Sequence, residues 1–196
     1  IVITGDNGTH SSLKSPFPGR EEGFIQGGKG KMTDAGNRVA FVANWPGTIP
    51  AGTEVDSPVD FADILPTIAD VVGAHLPADS VGQSWLPLAL GEKPSAETRG
   101  WVFQSYNRAG GPDAKYRCFV RDHEWKLYAD GQLFHVPSDW LEQKPLTTPE
   151  SQPHRERLQG ILKGLLADIP QEKLQLDNQK NPKRKAPKKE DKPDKP

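Results

Sequence analysis

Two groups of polar residues near the start of the chain have the types and spacing needed to hold a cation and an anion. Asp6 and Asn7 follow the apolar stretch "IVIT", whose β-branched composition predicts a short buried strand over residues 1–4. Carboxylate and amide oxygens are hard ligands that suit Ca²⁺ or Mg²⁺ better than a soft metal. Lys29 stands among three glycines in "GGKG", where a tight turn can present its ammonium to an anion.

Each of these groups also has an ordinary structural interpretation. An Asp-Asn pair followed by glycine is typical of an Asx turn that binds nothing. A lysine in a glycine-rich loop is commonly a solvated charge. His10, three residues after Asn7, could donate a hydrogen bond to a substrate or could be a loop histidine in water. Spacing alone leaves both interpretations open for Asp6, Asn7, Lys29 and His10.

The strands that must position these residues are few and short. Residues 39–44, "VAFVAN", are typical of a second apolar strand, and residues 7–30 have the composition of a long functional loop. In open sheets that carry helices on both faces, ligands lie outside the carboxyl ends of parallel strands. We therefore expect Asp6 and Asn7 to lie at such an edge.

Apolar residues at helical spacing predict a helix over residues 60–72. Asp60 is the expected N-cap and Gly73 the expected stop, because a short acidic side chain and a glycine favour these two positions. Pro66 interrupts the pattern and predicts either a kink or a late helix start.

The later part of the chain is typical of a small antiparallel sheet followed by a helix. Short alternating stretches occur between residues 101 and 136, with a hairpin turn predicted at Asp130-Gly131. Residues 155–169 have one apolar face, as an amphipathic helix does. Cys118 lies within one of the alternating stretches, so we expect it to be a buried strand residue.

Composition narrows the classes of protein that remain. The single cysteine excludes an internal disulfide framework and a zinc site made of thiolates alone. The formal net charge is −1, and residues 178–196 hold eight Lys or Arg against three Asp or Glu, so they carry 8 − 3 = +5 and the rest carries −6. This end has no aromatic residue for stacking on bases, so we expect a solvated spacer and no nucleic-acid partner. No apolar run reaches the length of a membrane span, so we expect no membrane partner.

The pattern predicts three segments. Residues 1–95 form an α/β body, residues 96–170 an antiparallel sheet with a helix, and residues 171–196 a disordered tail rich in Lys and Pro. The body begins in the middle of a strand, and two strands with one helix do not bury both faces of a parallel sheet. We therefore expect that the front of the catalytic domain precedes residue 1.

The motifs, taken in order, resemble those of a known enzyme family. They are "TGDNG", "GGKGKMTDAGNRVAFVANWPGTIPAG", "SPVDFADILPTIADVVGA", "VGQSWLPLALGEKP" and "YRCFVRDHEWKLYADGQLFHVPSDWLEQKPL". This series is similar to the C-terminal half of the formylglycine-dependent sulfatases of the alkaline-phosphatase-like superfamily, over roughly residues 1–146. The resemblance implies an α/β fold: part of an alkaline-phosphatase-like mixed sheet with helices, then a small C-terminal antiparallel sheet and helix.

The resemblance also implies roles for individual residues. Asp6 and Asn7 match two metal ligands of the family, whose metal is usually Ca²⁺, with Mg²⁺ as the alternative. Lys29 matches the catalytic lysine that contacts the sulfate group, and His10 is placed to bind the substrate. The implied substrate is a sulfate ester, with a sulfated saccharide as one candidate. A divalent ion and a fixed ammonium stabilise the negative charge that develops when such an ester is hydrolysed.

Two further positions in "MTDAGNRVA" bear on the scaffold around Lys29. Asp34 stands where the family motif Y-E-G-G-x-R-x-P has its glutamate, so we expect the local scaffold to be kept. Arg38 aligns with the arginine of that motif, and we expect it to form a structural salt bridge.

We expect that the nucleophile implied by the resemblance does not lie in this sequence. In the family a formylglycine is made from Cys or Ser in C/S-x-P/A-x-R, whereas the surroundings of Cys118 read "CFVRD". We expect the nucleophile in a part N-terminal to residue 1, and we expect the isolated chain to be catalytically inert. The alternatives are a phosphodiesterase or phosphonate hydrolase of the same superfamily, or a non-enzymatic module that binds sulfated glycans through Lys29 and the basic tail. Export is common in the family, but the sequence determines neither location nor oligomeric state.

Overall fold

A computed structural model describes residues 1–16, 24–106 and 117–167. In chain order its elements are β1 (Val2–Thr4), β2 (Lys14–Pro16), β3 (Phe24–Gln26), α1 (Asp34–Asn37), β4 (Phe41–Ala43), α2 (Ile64–Val72), α3 (Leu86–Ala89), β5 (Trp101–Tyr106), β6 (Arg117–Asp122), β7 (Trp125–Tyr128), β8 (Leu133–His135) and α4 (Gln152–Leu166). Two 3₁₀ turns, Phe61–Asp63 and Pro149–Ser151, precede α2 and α4. Within the described part, no helix combines the length and apolar character that a membrane crossing requires.

Strands β1 and β4 form a two-stranded sheet, but they differ from the prediction in two respects. They pair antiparallel, with Ile3 opposite Val42, so the prediction of a parallel sheet was wrong for this pair. The prediction of a buried first strand was also wrong, since Ile3 is 65% exposed and Val42 55% exposed. The reason is that a partner strand satisfies backbone groups along one edge and covers neither face of the strand.

The long loop predicted over residues 7–30 contains regular structure. Its described part includes a short antiparallel hairpin in which β2 pairs with β3, and Ser15 lies opposite Ile25. The alternation is only three residues long in each strand, which is too short to be recognised against the many turn-forming residues around it.

Of the two predicted end signals, Gly73 ends α2 as expected, whereas Asp60 caps the 3₁₀ turn that precedes the helix, and the N-cap of α2 itself is Asp63. Asp60 accepts a hydrogen bond from the Ala62 N–H (2.8 Å), and its own N–H donates to Asp63 (2.9 Å), which together form a capping box. At the other end Gly73 adopts a left-handed conformation with φ of 65°. The helix starts late, at Ile64, and Pro66 therefore lies in the first turn, where a missing N–H breaks no bond.

The C-terminal sheet and α4 form the best-buried part of the molecule. The strands run antiparallel in the order β5-β6-β7-β8, as predicted, and Gly131 has φ of 88° in the hairpin turn. One face of the sheet packs on α4 through a core of five buried residues: Val120, Leu127, Leu133, Leu158 and Leu162. Cys118 is 2% exposed in β6, which confirms the buried strand position.

The opposite face of this sheet carries aromatic and charged residues. The register places Phe119 opposite Tyr128 and Arg121 opposite Lys126, and Lys126 is also opposite Phe134. Residues directly opposite each other point to the same side of a sheet, so all five lie on one face. We call it the loop-facing side, because Lys126 and Tyr128 on it contact residues 32–34.

The mixed α/β class predicted from the sequence is confirmed, with antiparallel sheets and helices in one chain. The division into segments at residues 95 and 170 stays a prediction. The basic tail predicted over residues 171–196 lies outside the described residues.

Candidate functional site

Close packing of glycines brings the Asp6-Asn7 corner against the turn that carries Lys29. A Cβ added at Gly8 would overlap the carbonyl oxygen of Ala35, and one added at Gly28 would lie 2.8 Å from the Ala35 side chain. The Gly8 N–H donates to the Gly36 carbonyl (2.8 Å), and the Gly28 N–H donates to the Ala35 carbonyl (3.2 Å). Only residues without a side chain allow backbones to approach this closely, which explains the glycine content.

One backbone hydrogen bond joins the two candidate groups almost directly. The Lys29 N–H donates to the Thr9 carbonyl (3.0 Å), and a Cβ at Gly27 would overlap the carbonyl oxygen of His10. The turn itself is closed by the Lys31 N–H, which donates to the Gly28 carbonyl (2.7 Å). The backbone of Lys29 is therefore hydrogen-bonded to Thr9, which lies only two positions after Asn7 in the chain.

The side chains of the candidate residues are available to a ligand. Asp6 and Lys29 are exposed and Asn7 is half-buried. Among the described residues, none forms a hydrogen bond or ion pair with the Asp6 carboxylate, the Asn7 amide or the Lys29 ammonium. The backbone of these residues is held in place, and their side chains have no partner among the described residues. They can therefore bind an added ion with little rearrangement.

His10 lies beside this corner with its ring oriented by the next turn. The Ser12 N–H donates to His10 Nδ1 at 3.3 Å, and the Ser12 hydroxyl lies 2.8 Å from the same nitrogen. Because a backbone N–H can only donate, Nδ1 is an acceptor and the neutral ring carries its proton on Nε2. Nε2 is thus a hydrogen-bond donor on an exposed ring, as a substrate-binding role for His10 requires.

The donor set at Asp6 and Asn7 fits a hard cation only in part. One carboxylate and one amide oxygen are the correct chemistry for Ca²⁺, which takes six to eight oxygen ligands in general. Across residues 1–16, 24–106 and 117–167, no three His, Cys, Asp or Glu side chains come together as a metal ion would need. These two residues could therefore hold only part of the coordination shell of such an ion, and their role as metal ligands stays a prediction.

A buried cluster of charges holds the loop that follows Lys29. Lys126 is 0% exposed, and its Nζ donates to the Met32 carbonyl (2.5 Å) and to Glu142 Oε1 (2.8 Å). Asp34 pairs with Arg121 at 3.0 Å and lies 3.7 Å from Lys126 Nζ. The acid expected to preserve the local scaffold is Asp34, and the structure confirms its structural use.

Burial shifts the proton affinity of two members of this cluster in the expected directions. Desolvation lowers the pKa of Lys126, while the charge of Glu142 and the hydrogen bond to it act the other way. Desolvation, followed by the negative charge of Glu142, raises the pKa of the Tyr128 hydroxyl far above its ordinary value. Tyr128 therefore stays protonated and donates its one hydroxyl hydrogen to Glu142, while the Met32 carbonyl oxygen lies 3.1 Å from the same hydroxyl oxygen.

The sequence alone missed most of this cluster. Lys126 left a signal, because it stands between Trp125 and Leu127 in an apolar strand, where a charged residue needs a buried partner. Glu142 lies in an irregular segment with no period, and its only signal is its place in the last of the motifs that resemble the sulfatase family. Arg38, predicted to form a salt bridge, is exposed, and the described residues offer it no ion pair.

Solved structures define the class of fold. A 2-O GAG sulfatase has 23% sequence identity and a TM-score of 0.58, with 70% of this chain and 31% of that chain covered. Phosphonate monoester hydrolase from Silicibacter pomeroyi has 24% identity and a TM-score of 0.60, with 76% and 33% covered. These similarities place the chain in the alkaline-phosphatase-like sulfatase fold, as the motif series implies.

Sequence comparison is more specific. Steryl-sulfatase from Rattus norvegicus is 28% identical over 195 residues, which cover 82% of this chain and 34% of that protein. Residues 22–144, more than half of the chain, match the family described as N-sulphoglucosamine sulphohydrolase, C-terminal, and the chain belongs to that family. It spans about a third of the length of the curated relatives it matches.

Proposed function

We propose that this chain forms the C-terminal part of a hydrolase of sulfate esters and supplies one side of its active site. The observation that carries the proposal is the glycine packing that joins the Asp6-Asn7 corner to the Lys29 turn. This packing brings the backbone of an oxygen-rich corner close to that of a lysine whose ammonium has no partner among the described residues, and a joint site for a cation and an oxyanion requires that closeness.

Each residue has a defined task in this proposal. Lys29 binds a sulfate oxygen and stabilises the negative charge that grows as the ester bond breaks, because a fixed ammonium needs no reorganisation at that moment. His10 Nε2 donates a hydrogen bond to the substrate. Asp6 and Asn7 would supply two of the ligands of a Ca²⁺ ion, or of Mg²⁺ as the alternative. Such an ion would act as a Lewis acid towards a sulfate oxygen.

The chain by itself is proposed to be inactive. The one C/S-x-P/A-x-R segment in its sequence is "SQPHR" at residues 151–155, at the start of α4. Ser151 in it is buried at 2% exposure and donates to the Thr148 carbonyl (2.8 Å), so the formylglycine nucleophile is proposed to come from outside this chain. An assay with an aryl sulfate and added Ca²⁺ tests this, and turnover by the purified chain above the uncatalysed rate would contradict it.

Anion binding tests the role of Lys29 without requiring turnover. Titration of the ¹⁵N-labelled chain with sulfate should move the amide resonances of Gly28, Lys29 and Gly30, and Lys29→Met should weaken binding by at least tenfold. Lys163→Met is the matched control, since Lys163 is also an exposed lysine but lies on α4, and it should bind sulfate like the wild type. Equal sulfate affinity in the Lys29→Met variant would contradict the proposal.

Two other functions are tested by the same titration. The similarity to phosphonate monoester hydrolase favours methylphosphonate as a competing anion, and a clear preference for methylphosphonate over sulfate at Lys29 would support that class. A non-enzymatic module that binds glycans through Lys29 and the basic tail would lose its affinity for a sulfated oligosaccharide when residues 178–196 are removed. The leading proposal expects that affinity to depend on Lys29 and to survive removal of the tail.

A further inference from the structure

We propose that Lys126, Tyr128 and Glu142 act as positioning residues that fix the Lys29 turn from the loop-facing side of the C-terminal sheet. The proposal rests on the proposed anion-binding role of Lys29. None of these three residues touches the anion in it, and each acts through the backbone of residues 32–36.

The need for such a cluster begins in the sheet itself. Arg121 and Lys126 lie directly opposite each other on β6 and β7, and like charges at opposed positions destabilise a sheet. Lys126 is 0% exposed, so water does not relieve that repulsion. Asp34 and Glu142 supply two carboxylates, and the sheet is therefore balanced only when the loop that carries Asp34 is docked on it.

The docking contact converges on one atom of the loop. The Met32 carbonyl oxygen accepts hydrogen bonds from Lys126 Nζ (2.5 Å) and from Asn37 Nδ2 (2.6 Å), and the Tyr128 hydroxyl oxygen lies 3.1 Å from it. The first donor comes from β7, as does Tyr128, and the second closes the short helix α1 onto the same point. This oxygen cannot move without breaking hydrogen bonds to two separate parts of the molecule.

Glu142 completes the contact from the segment after β8. Its Oε1 accepts from Lys126 (2.8 Å) and from the Asp34 N–H (3.2 Å), and its Oε2 accepts from Tyr128. Glu142 has φ of 54°, and it is the only described residue other than glycine with a positive φ. That conformation is costly for a glutamate and persists where surrounding contacts hold it.

The path from this cluster to Lys29 is short and continuous. Asp34 precedes Ala35, whose carbonyl accepts from the Gly28 N–H, and Lys31 closes the turn onto Gly28. A Cβ added at Gly36 would lie 2.2 Å from the Lys31 carbonyl oxygen and 2.6 Å from the Gly28 carbonyl oxygen, so the turn and α1 are packed without space between them. A shift of Met32 or Asp34 is therefore passed to Lys29 within a few residues.

The test measures the turn separately from overall folding. Tyr128→Phe removes only a hydroxyl, and Glu142→Gln replaces the carboxylate by an uncharged amide that has one acceptor oxygen fewer, so both variants nearly keep the volume of the cluster. Amide exchange at Gly28 and Lys29 should accelerate by at least tenfold in Glu142→Gln and by several-fold in Tyr128→Phe. Sulfate affinity at Lys29 should fall by about tenfold in Glu142→Gln and by several-fold in Tyr128→Phe. Exchange at Val120 and Leu127 should accelerate by much less than exchange at Gly28 and Lys29, because the apolar core under α4 still holds the sheet.

Glu156→Gln is the matched control, because Glu156 is an exposed carboxylate on α4 that pairs only with Gln152 among the described residues. It should leave both readouts unchanged. A purely stabilising role for the cluster would accelerate exchange in β6 and β7 together with the turn and leave the sulfate affinity of the folded fraction unchanged, and that result overturns the proposal. Wild-type protection of Gly28 and Lys29 in Glu142→Gln overturns it as well.

A failure of this proposal can be distinguished from a failure of the proposed function. Absence of any sulfate-induced shift in the wild-type chain would remove the anion-binding role of Lys29. Amide exchange at Lys29 would still decide whether the cluster fixes the turn.

Discussion

Val120 of β6 and Val42 of β4 are the same residue type at inner positions of strands, yet they are 0% and 55% exposed. The difference comes from what lies above each strand. Helix α4 covers one face of the C-terminal sheet with Leu158 and Leu162, whereas no described element covers the face of the β1–β4 pair that carries Ile3 and Val42.

Helix α2 in the N-terminal part is as poorly covered as the β1–β4 pair. Its apolar residues Leu65 and Ile68 are 54% and 55% exposed. What fixes the start of this helix is polar, since the buried Asp63 pairs with Arg99 at 2.5 Å and accepts from the Gln83 N–H at 2.8 Å. The C-terminal unit is thus stabilised by apolar burial, while the N-terminal elements described here depend on hydrogen bonds, ion pairs and packed glycines.

The largest effect expected from this contrast is in the core under α4. Leu158→Ala should lower the free energy of unfolding by about 3 kcal/mol, because a fully buried leucine leaves a cavity. Leu65→Ala, the matched change on α2, should cost less than about 1 kcal/mol, since its side chain is already half in water. Urea denaturation together with amide exchange in β6 and β7 measures the loss of stability in both variants. Equal losses in Leu158→Ala and Leu65→Ala would contradict the difference in burial between the two parts of the molecule.

The next largest expected difference between the buried C-terminal sheet and the exposed β1–β4 pair is in the reactivity of a thiol placed in each. Burial, with a smaller contribution from the negative charge of Asp130, raises the pKa of Cys118 from 9.0 to about 11. Only the thiolate reacts, so at pH 8 native Cys118 should alkylate at least about 100-fold more slowly than an unshifted thiol. Its rate should rise about tenfold per pH unit up to pH 10, because each unit below the pKa changes the thiolate fraction tenfold.

The exposed strand supplies the comparison for that measurement. A thiol introduced by Val42→Cys, in a chain that also carries Cys118→Ala, should alkylate rapidly at pH 8, and its rate should level off above pH 9. Iodoacetamide labelling followed by mass spectrometry gives both rates. Slow labelling of the Val42→Cys variant would mean that this face is covered.

Glycine packing is expected to matter less than the core but more than ordinary surface positions. Gly8→Ala should destabilise the chain by about 1–3 kcal/mol, since the new methyl group would overlap the Ala35 carbonyl. Gly100→Ala is the control, because nothing lies within 4 Å of its added Cβ, and it should change stability by less than about 0.5 kcal/mol. Urea midpoints decide this, and a tolerated alanine at position 8 would contradict the close packing of the site.

The smallest effect is a gain in stability. Gly164→Ala on α4 should add about 0.5–1 kcal/mol, because its Cβ meets no atom and alanine favours the helix. Gly73→Ala should lower stability despite equally open surroundings, since Gly73 has φ of 65°. Thermal denaturation of the two variants should therefore shift in opposite directions.

The sequence predicted those features of the fold that depend on local pattern. Asp60 as a capping residue, Gly73 as a helix end, the Asp130-Gly131 turn and the four-stranded antiparallel region were all accessible, because cap residues, turn residues and alternation act within a few positions. The antiparallel pairing of β1 with β4 and their exposure were not, since both depend on which distant elements cover a strand.

The candidate site divides in the same way. Asp6, Asn7 and Lys29 were selected by residue type and motif order, and the structure brings their backbones together. Their binding roles stay predictions. The cluster around Met32 was missed because it joins residues about a hundred positions apart, and nothing around Glu142 indicates that its side chain turns inwards.

The shared oxygen of Met32 has a practical consequence for protein engineering. A designer who transplants the glycine-rich turn into a new scaffold would move the ammonium but not its support. The smallest transferable unit is discontinuous: it contains the turn with α1, the two central strands of the C-terminal sheet and the segment that ends in Glu142.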